Sequence, residues 1–178
     1  AAADVRRRNM SGILYLPLGY SPESTIDYWI RNPRILNYED AVIEMAVALA
    51  RDYTLVIKEH FHMCGVRKPD FYRRLVAIPG VVLVPPGALS NDAVEYADAV
   101  ILGGGSVGVE TALRNKPIFS FCPGCYWFDA AQAVELNLDE IGQWGTIIHT
   151  ELMKEQHEVD PHMLLADCLA STARAERI

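Results

Sequence analysis

Short apolar runs alternate with helical patterns over the first 120 residues of the chain. Each run is apolar along its whole length, which is typical of a strand buried on both faces. The runs predict five strands, at residues 12–18, 53–58, 81–84, 99–102 and 117–121. Helices are predicted between them, around residues 71–77, over residues 106–114, and after the capping residue Asn37 with an apolar stripe of Ala41, Val42, Met45, Ala46 and Leu49.

Strands of this kind, separated by helices, predict an α/β fold with a doubly wound, mostly parallel, Rossmann-like sheet and helices on both faces. From Ala130 onward the pattern turns helical and acidic. The last helix has Asp160 as its cap, Pro161 at its first position and a predicted stripe of Leu164, Leu165, Cys168, Leu169 and Thr172. The chain is interpreted as one domain, residues 1–178, with a core over about residues 12–128 and a helical acidic tail over about residues 130–178.

Composition removes several classes of protein. With 51% hydrophobic residues among 178, the chain has enough apolar mass for a core, so disorder is not its dominant state. Its apolar runs fall short of the roughly 20 residues that a membrane span needs. The net charge is -7, with scattered arginines and no basic face, which argues against a nucleic-acid partner. The expected location is the cytoplasm.

Residues 103–108 read G-G-G-S-V-G and stand between a predicted strand and a helix. Glycines permit positive φ and close approach of a ligand, and the helix start offers free N–H groups to an anion. A dinucleotide site would need an acidic residue about 20 residues further on, and the next strand ends at Phe121-Cys122 without one. Phosphate or sugar-nucleotide binding is therefore favoured over NAD-type binding, and a purely structural turn remains an alternative.

Two ionisable residues lie at or near the ends of predicted strands, where ligands are expected to bind. Glu110 falls in the first turn of the predicted helix, where it either offsets the helix dipole or accepts hydrogen bonds from sugar hydroxyls. His60 closes the second strand after Lys58, where an imidazole can donate to a phosphate oxygen or be satisfied by a neighbouring carbonyl. A metal site at His60, His62 and Cys64 lacks a fourth ligand at suitable spacing, so no metal is expected.

The C-x-x-C at Cys122 and Cys125 follows the fifth strand, whereas a thioredoxin-like motif follows the first. We therefore expect the two thiols to be buried as small hydrophobic side chains beside the cleft. Redox catalysis is the less favoured alternative. Four cysteines are also too few and too scattered for a disulfide framework in a chain of this size.

Taken in order, several segments resemble the bacterial capsule polysaccharide biosynthesis and Kdo-transferase group of glycosyltransferases. They are L-P-L-G-Y-S-P-E-S-T (16–25), L-V-I-K-E-H (55–60), G-V-R (65–67), F-Y-R-R-L (71–75), I-P-G-V-V-L-V-P-P (78–86), Y-A-D-A-V-I-L-G-G-G-S-V-G-V-E-T-A-L-R-N-K-P-I (96–118) and Tyr126. The family usually continues K-E-H with proline, where this chain has Phe61. Its usual G-x-x-Y appears here within C-P-G-C-Y.

The resemblance implies the C-terminal, donor-binding domain of a two-domain GT-B glycosyltransferase, with the N-terminal domain outside this chain. It implies that His60 is catalytic, that Lys58 supplies positive potential and that Glu110 contacts the nucleotide. The remaining implied donor or phosphate contacts are Gly104, Gly105, Ser106, Val107, Gly108 and Thr111, and the implied cleft-facing residues are Glu23, Ser24, Thr25, Arg67 and Tyr126.

The function expected from the resemblance is binding of a CMP- or UDP-linked sugar, without a separate cofactor, for surface or capsular polysaccharide synthesis. The acceptor would be a glycan or glycolipid held by the N-terminal domain, and the full protein would lie in the cytoplasm or peripherally at the inner membrane. Two alternatives stay open: a UDP-sugar 2-epimerase-like enzyme, and a non-catalytic nucleotide-binding Rossmann-like module.

Overall fold

The computed structural model describes residues 11–21, 32–154 and 159–175, and the side chains of residues 11–21, 32–154 and 159–170. Its six described strands form one parallel sheet in the order β3-β2-β1-β4-β5-β6. This is the strand order of the doubly wound Rossmann fold. The strands are β1 (Ile13–Pro17), β2 (Thr54–Lys58), β3 (Val81–Val84), β4 (Ala99–Leu102), β5 (Ile118–Ser120) and β6 (Val134–Glu135).

Helices connect these strands and follow the last of them. Short 3₁₀ segments lie at Pro33–Leu36, Phe61–Met63 and Leu138–Gln143. The α-helices are α1 (Tyr38–Leu49), α2 (Pro69–Val76), α3 (Ser90–Tyr96), α4 (Val107–Ala112), α5 (Trp144–Leu152) and α6 (Pro161–Ala175).

The alternation of side chains along each strand builds a core on both faces of the sheet. Leu14 and Leu16 of β1 face one core, which is completed by side chains of α1, α2 and α5. Tyr15, between them, faces the opposite core, to which α3, α4 and α6 contribute. All three side chains are fully buried, so β1 is apolar throughout because it has helices above and below. The predicted doubly wound fold is confirmed.

Most predicted elements lie within one or two residues of the observed ones. The stripe predicted for α1 is buried throughout, because those residues recur on the helix face that meets the sheet. Asn37 stands at the start of α1 but makes no side-chain cap, since its amide donates to the Asp40 carboxylate over 2.7 Å. Asp160 does cap α6, accepting from the backbone N–H of His162 over 2.8 Å.

Three features of the fold were not predicted. Helix α3 lies in a segment to which no element was assigned, and strand β6 lies in the segment after Ala130 that was predicted to be helical. Helix α6 packs through Leu164 and Cys168, whereas Leu165 and Leu169 are more than half exposed. The predicted stripe on α6 was therefore too wide. Among the helices of the described ranges, none has the length and apolar character needed to cross a membrane.

The direction in which successive strands are added to the sheet reverses between β1 and β4, and this is the crossing point of the sheet. These strands pair in parallel, with Leu14 opposite Ala99 and Tyr15 opposite Val100. From β1 the chain winds outward to β2 and β3, and it then crosses back to β4 and continues to β6. The loops that leave β1 and β4 consequently diverge, which opens a crevice at the carboxyl ends of the two strands.

Candidate functional site

A cleft of ≈ 270 Å³ lies in this crevice. Its walls come from the loops that follow β1, β2 and β4, together with the start of α3. The residues that line it are Pro17, Leu18, Gly19, Tyr20, Tyr38, Lys58, Glu59, His60, Ser90, Gly103, Gly104, Gly105, Ser106, Val107 and Phe121. Six of the sequence-predicted site residues are thus brought together, namely Lys58, His60, Gly104, Gly105, Ser106 and Val107.

The glycines of the loop after β4 serve different purposes. Gly105 has φ +85, in the left-handed region, and the space that its Cβ would occupy is open. At Gly103 a Cβ would lie 2.4 Å from the Phe121 ring, and at Gly108 it would lie 2.3 Å from the Trp127 indole. Gly108 does not line the cleft. The absence of a side chain at this residue makes room for the indole instead.

The segment after β5 supports the glycine loop from behind. The Trp127 indole N–H donates to the Gly105 carbonyl over 2.9 Å, and the Cys125 thiol donates to the Gly103 carbonyl over 3.5 Å. Cys122 and Cys125 are buried, with their sulfur atoms 3.7 Å apart. The pKa of Cys125 is raised above its usual range, mainly by the hydrogen bond with the Cys122 thiol and then by burial. These are properties of a packed thiol pair, as the position of the motif predicts.

Ser106 and Glu110 meet on the first turn of α4. Ser106 precedes the helix, and its hydroxyl makes no capping hydrogen bond. It donates instead to Glu110 Oε1 over 3.5 Å, and Ser106 itself is exposed. Glu110 is half-buried and presents its carboxylate beside the loop. A ligand phosphate at the loop would therefore have an acceptor group one turn away.

His60 forms the opposite wall with two aromatic neighbours. Its ring centroid lies 5.6 Å from that of Tyr20 and 5.4 Å from that of His62. His60 Nδ1 is buried and has no hydrogen-bond partner among the residues that the structure describes. Lys58 precedes it at the end of β2, where its carbonyl accepts from the Leu18 N–H over 2.9 Å. The imidazole ring is therefore packed against two aromatic rings at the cleft wall, with its Nδ1 atom enclosed by protein.

Arg67 was predicted to face the cleft, and the structure places it beneath the cleft wall. Its side chain is 2% exposed, and its Nε donates to Glu59 Oε2 over 2.8 Å. A second donor of the guanidinium group reaches the Gly19 carbonyl. A buried cation requires such a partner, because desolvation would otherwise cost several kcal/mol. The sequence could not reveal the pairing of Arg67 with the loop after β1.

Two further predicted residues also lie away from the cleft surface. Thr111 is fully buried, and its hydroxyl donates to the Val107 carbonyl over 2.6 Å, so it is already satisfied within α4. Tyr126 is half-buried near α6. Its pKa is raised mainly by burial, and then by the nearby Cys168, Cys125 and Glu110. Glu23, Ser24 and Thr25 lie outside the described residues, so their predicted position in the cleft has no structural counterpart here.

Sequence reasoning missed Tyr38 and Ser90. Tyr38 begins α1, and its hydroxyl reaches the cleft wall, where it accepts from the Gly19 N–H over 2.6 Å. Burial, foremost, raises the pKa of Tyr38 to about 12. Ser90 begins α3 at the end of the loop after β3. The rule that ligands meet the carboxyl ends of parallel strands pointed to that loop, but it did not single out the residue.

Within residues 11–21, 32–154 and 159–175, no three His, Cys, Asp or Glu side chains are grouped to hold a metal ion. The described cleft offers hydrogen-bonding groups and local charge. The glycine loop, Ser106, His60 and Lys58 surround one space.

The fold and the cleft together define an α/β, Rossmann-like domain with a candidate ligand site at the carboxyl ends of β1 and β4. Among solved structures, the chain is similar to WaaG, a glycosyltransferase involved in lipopolysaccharide biosynthesis, with a TM-score of 0.50 and 11% identity. The match covers 98% of this chain and 45% of that chain, so this chain spans less than half the length of WaaG. No protein-family model and no curated protein matches the sequence.

Proposed function

We propose that the chain is the nucleotide-sugar donor-binding domain of a glycosyltransferase that acts in surface or capsular polysaccharide synthesis. The observation that carries this proposal is the meeting of His60 and the glycine loop in one cleft at the β1–β4 crossing point. Open α/β sheets bind ligands at this position. The similarity in fold to a glycosyltransferase and the resemblance of the ordered sequence segments support the same assignment.

The donor phosphates are proposed to bind between His60 and the glycine loop. Gly104 and Gly105 let a phosphate approach the backbone, since neither carries a Cβ. Ser106 adds an exposed hydroxyl, and Lys58 adds a positive charge on the same cleft. His60 also lines the cleft, and an imidazole can donate a hydrogen bond to a phosphate oxygen.

Glu110 is proposed to bind the ribose. Its carboxylate has acceptor capacity for two sugar hydroxyls, and one of its oxygens lies 3.5 Å from the Ser106 hydroxyl. Under this proposal an acceptor for hydroxyl groups lies next to donors for phosphate. That order of polar groups matches the order of ribose and phosphate in a nucleotide.

Glycosyl transfer breaks the bond between the anomeric carbon of the sugar and an oxygen of the nucleotide phosphate. The departing phosphate gains negative charge, and donors already directed at it stabilise that charge as it develops. His60, Ser106 and the loop amides would supply this stabilisation. We propose that the acceptor, a glycan or glycolipid, and the base that activates it belong to a second domain.

A thermal-shift panel tests the proposal. CMP, UDP and their sugar conjugates are expected to raise the melting temperature, whereas NADH is not. A ligand present at 100 times its Kd stabilises the folded state by about 2.7 kcal/mol, which is easily measured. Stabilisation by NADH with no response to pyrimidine nucleotides would overturn the assignment.

Two cleft variants and one matched control locate the binding site. Glu110→Gln and Ser106→Ala are expected to abolish the nucleotide-dependent shift, because each removes a polar contact at the loop. Glu140→Gln makes the same chemical change at an exposed residue of the 3₁₀ segment Leu138–Gln143 and should keep the full shift. Retention of the full shift in both Glu110→Gln and Ser106→Ala would place the nucleotide elsewhere.

A further inference from the structure

Both backbone polar groups of Gly19 are held by side chains from other elements. Gly19 follows β1 and lines the cleft. Its N–H donates to the Tyr38 hydroxyl over 2.6 Å, and its carbonyl accepts from the Arg67 guanidinium group. Tyr38 and Arg67 come from 19 and 48 residues further along the chain. The position of this glycine is therefore set by tertiary contacts.

The Arg67 guanidinium group is itself fixed from three sides. Its Nε bonds to Glu59 Oε2 over 2.8 Å. The guanidinium carbon lies 4.9 Å from the centroid of the Tyr38 ring and 5.7 Å from that of the Phe71 ring. Stacking on aromatic faces and bonding to a carboxylate leave a planar guanidinium group little freedom. Arg67 can therefore hold the Gly19 carbonyl rigidly.

Glu59 extends the network to the other wall of the cleft. One of its oxygens accepts from the Tyr72 hydroxyl over 2.6 Å, in addition to Arg67. The other oxygen accepts from the backbone N–H of His60 over 2.6 Å. A single buried carboxylate thus joins the loop after β2 to the guanidinium group that holds the loop after β1.

We propose that Tyr38 and Arg67 are positioning residues that set the distance between the Gly19 wall and the His60 wall for a bound nucleotide. The inference rests on the proposed donor-binding function. Loops that are ordered before a ligand arrives do not have to be ordered by it, so the affinity is higher. The aromatic contact between Tyr20 and His60 joins the same two loops.

Tyr38→Phe tests the first contact, with Tyr53→Phe as its matched control. Both side chains are buried, but the Tyr53 hydroxyl has no hydrogen-bond partner among the described residues, so its removal leaves the cleft unchanged. We expect Tyr38→Phe to weaken the binding of UDP or CMP roughly fivefold, the effect of one hydrogen bond. Calorimetric titration measures the affinity, and NMR hydrogen exchange should show faster exchange of the Gly19 amide only in Tyr38→Phe.

Arg67→Lys separates positioning from stability. Lysine keeps a positive charge for Glu59 but lacks the fork that reaches Glu59 and Gly19 together. We expect a melting temperature near that of the wild type with a nucleotide affinity still reduced several-fold. If Arg67 were only structural, a lysine that keeps the positive charge would also keep the nucleotide affinity. That result would overturn the inference.

The outcomes distinguish this inference from the proposed function. If the wild-type chain binds neither UDP nor CMP, the donor-site assignment and the affinity effect both fail. Exchange of the Gly19 amide then still decides whether Tyr38 holds Gly19. Faster exchange in Tyr38→Phe supports this hydrogen bond, and unchanged exchange overturns it. Normal nucleotide affinity in both Tyr38→Phe and Arg67→Lys also overturns the positioning role.

Discussion

The indole nitrogen of Trp127 lies 2.9 Å from the carbonyl oxygen of Gly105, so a residue beyond β5 holds the loop that follows β4. The same indole occupies the space left by the missing side chain of Gly108. Two segments that line or support the cleft are therefore packed as one unit. The shape of the glycine loop depends on this packing as well as on its own sequence.

Gly108→Ala should destabilise the fold. Its new methyl group would lie 2.3 Å from the Trp127 indole, which has no free space because it is fully buried. Overpacking of this kind costs about 1–3 kcal/mol. Urea denaturation followed by tryptophan fluorescence measures the loss. Gly142→Ala is the control, because a Cβ there meets nothing within 4 Å, and equal stability of the two variants would contradict the packing argument.

Glu59→Ala should be among the most destabilising single changes in the cleft wall. It would leave the Arg67 guanidinium group charged, 2% exposed and without its carboxylate. Breaking a buried ion pair in this way costs about 3–5 kcal/mol. Chemical denaturation at pH 7 provides the measurement.

The exposed pair of Arg74 and Asp40, 2.7 Å apart, gives the control for that change. Asp40→Ala should cost far less, because water solvates an exposed charge that loses its partner. A comparable loss in both variants would show that the burial of Arg67 does not matter.

Stability should fall at alkaline pH, in part because of Tyr38. Burial, foremost, raises the pKa of this phenol from 10.0 to about 12. The unfolded chain therefore releases the proton first, and the contribution that is complete below pH 10.0 is lost as the pH rises toward about 12. Tyr38→Phe removes that contribution, so its stability should decline less steeply over this range.

Denaturation curves at a series of pH values test this difference in slope. Below pH 9 the difference in stability between the wild type and Tyr38→Phe should be constant, since neither state ionises the phenol there. Absorbance at 295 nm should show one fewer late-titrating tyrosine in the variant. An unchanged alkaline slope would contradict the assignment.

The four cysteines should differ sharply in reactivity. Cys64 is exposed, whereas Cys122, Cys125 and Cys168 are buried. The Cys122 thiol, foremost, raises the pKa of Cys125, and burial, foremost, raises that of Cys168, so less of each is the reactive thiolate. A thiol-specific reagent at pH 8 should modify one thiol rapidly in the native protein and the others only on unfolding.

Cys64→Ser identifies the rapid thiol. The fast phase should disappear in this variant, with the slow phases unchanged. Rapid modification of two or more thiols in the native wild type would mean that the cysteines behind the glycine loop are accessible.

The sequence by itself determined five of the six described strands, their direction and the edge of the sheet where ligands are expected. Strands such as Val81–Val84 and Ala99–Leu102 were predicted to the residue, because a run that is apolar on both faces must be covered by helices on both sides. Parallel direction then places the residues after each strand at one edge, which brought His60 and the glycine loop together.

Elements with a weak apolar pattern could not be predicted. Strand β6 has two residues, one of them exposed, and α3 buries Val94 as its one fully covered large side chain. On α6, Leu165 and Leu169 fit a helical stripe but stay exposed, because the contact of this helix with the sheet layer is narrow. Periodicity shows which residues share a face and not how much of that face is covered.

Only the tertiary structure decided which side chains hold the cleft in shape. Arg67 and Gly19 are 48 residues apart, and neither local pattern contains information about the other. The hydrogen bond between them exists because the loops after β1 and β2 leave adjacent parallel strands and because the buried Glu59 fixes the guanidinium group. Burial turns a charge that looks available in the sequence into one that is already neutralised within the wall of the cleft.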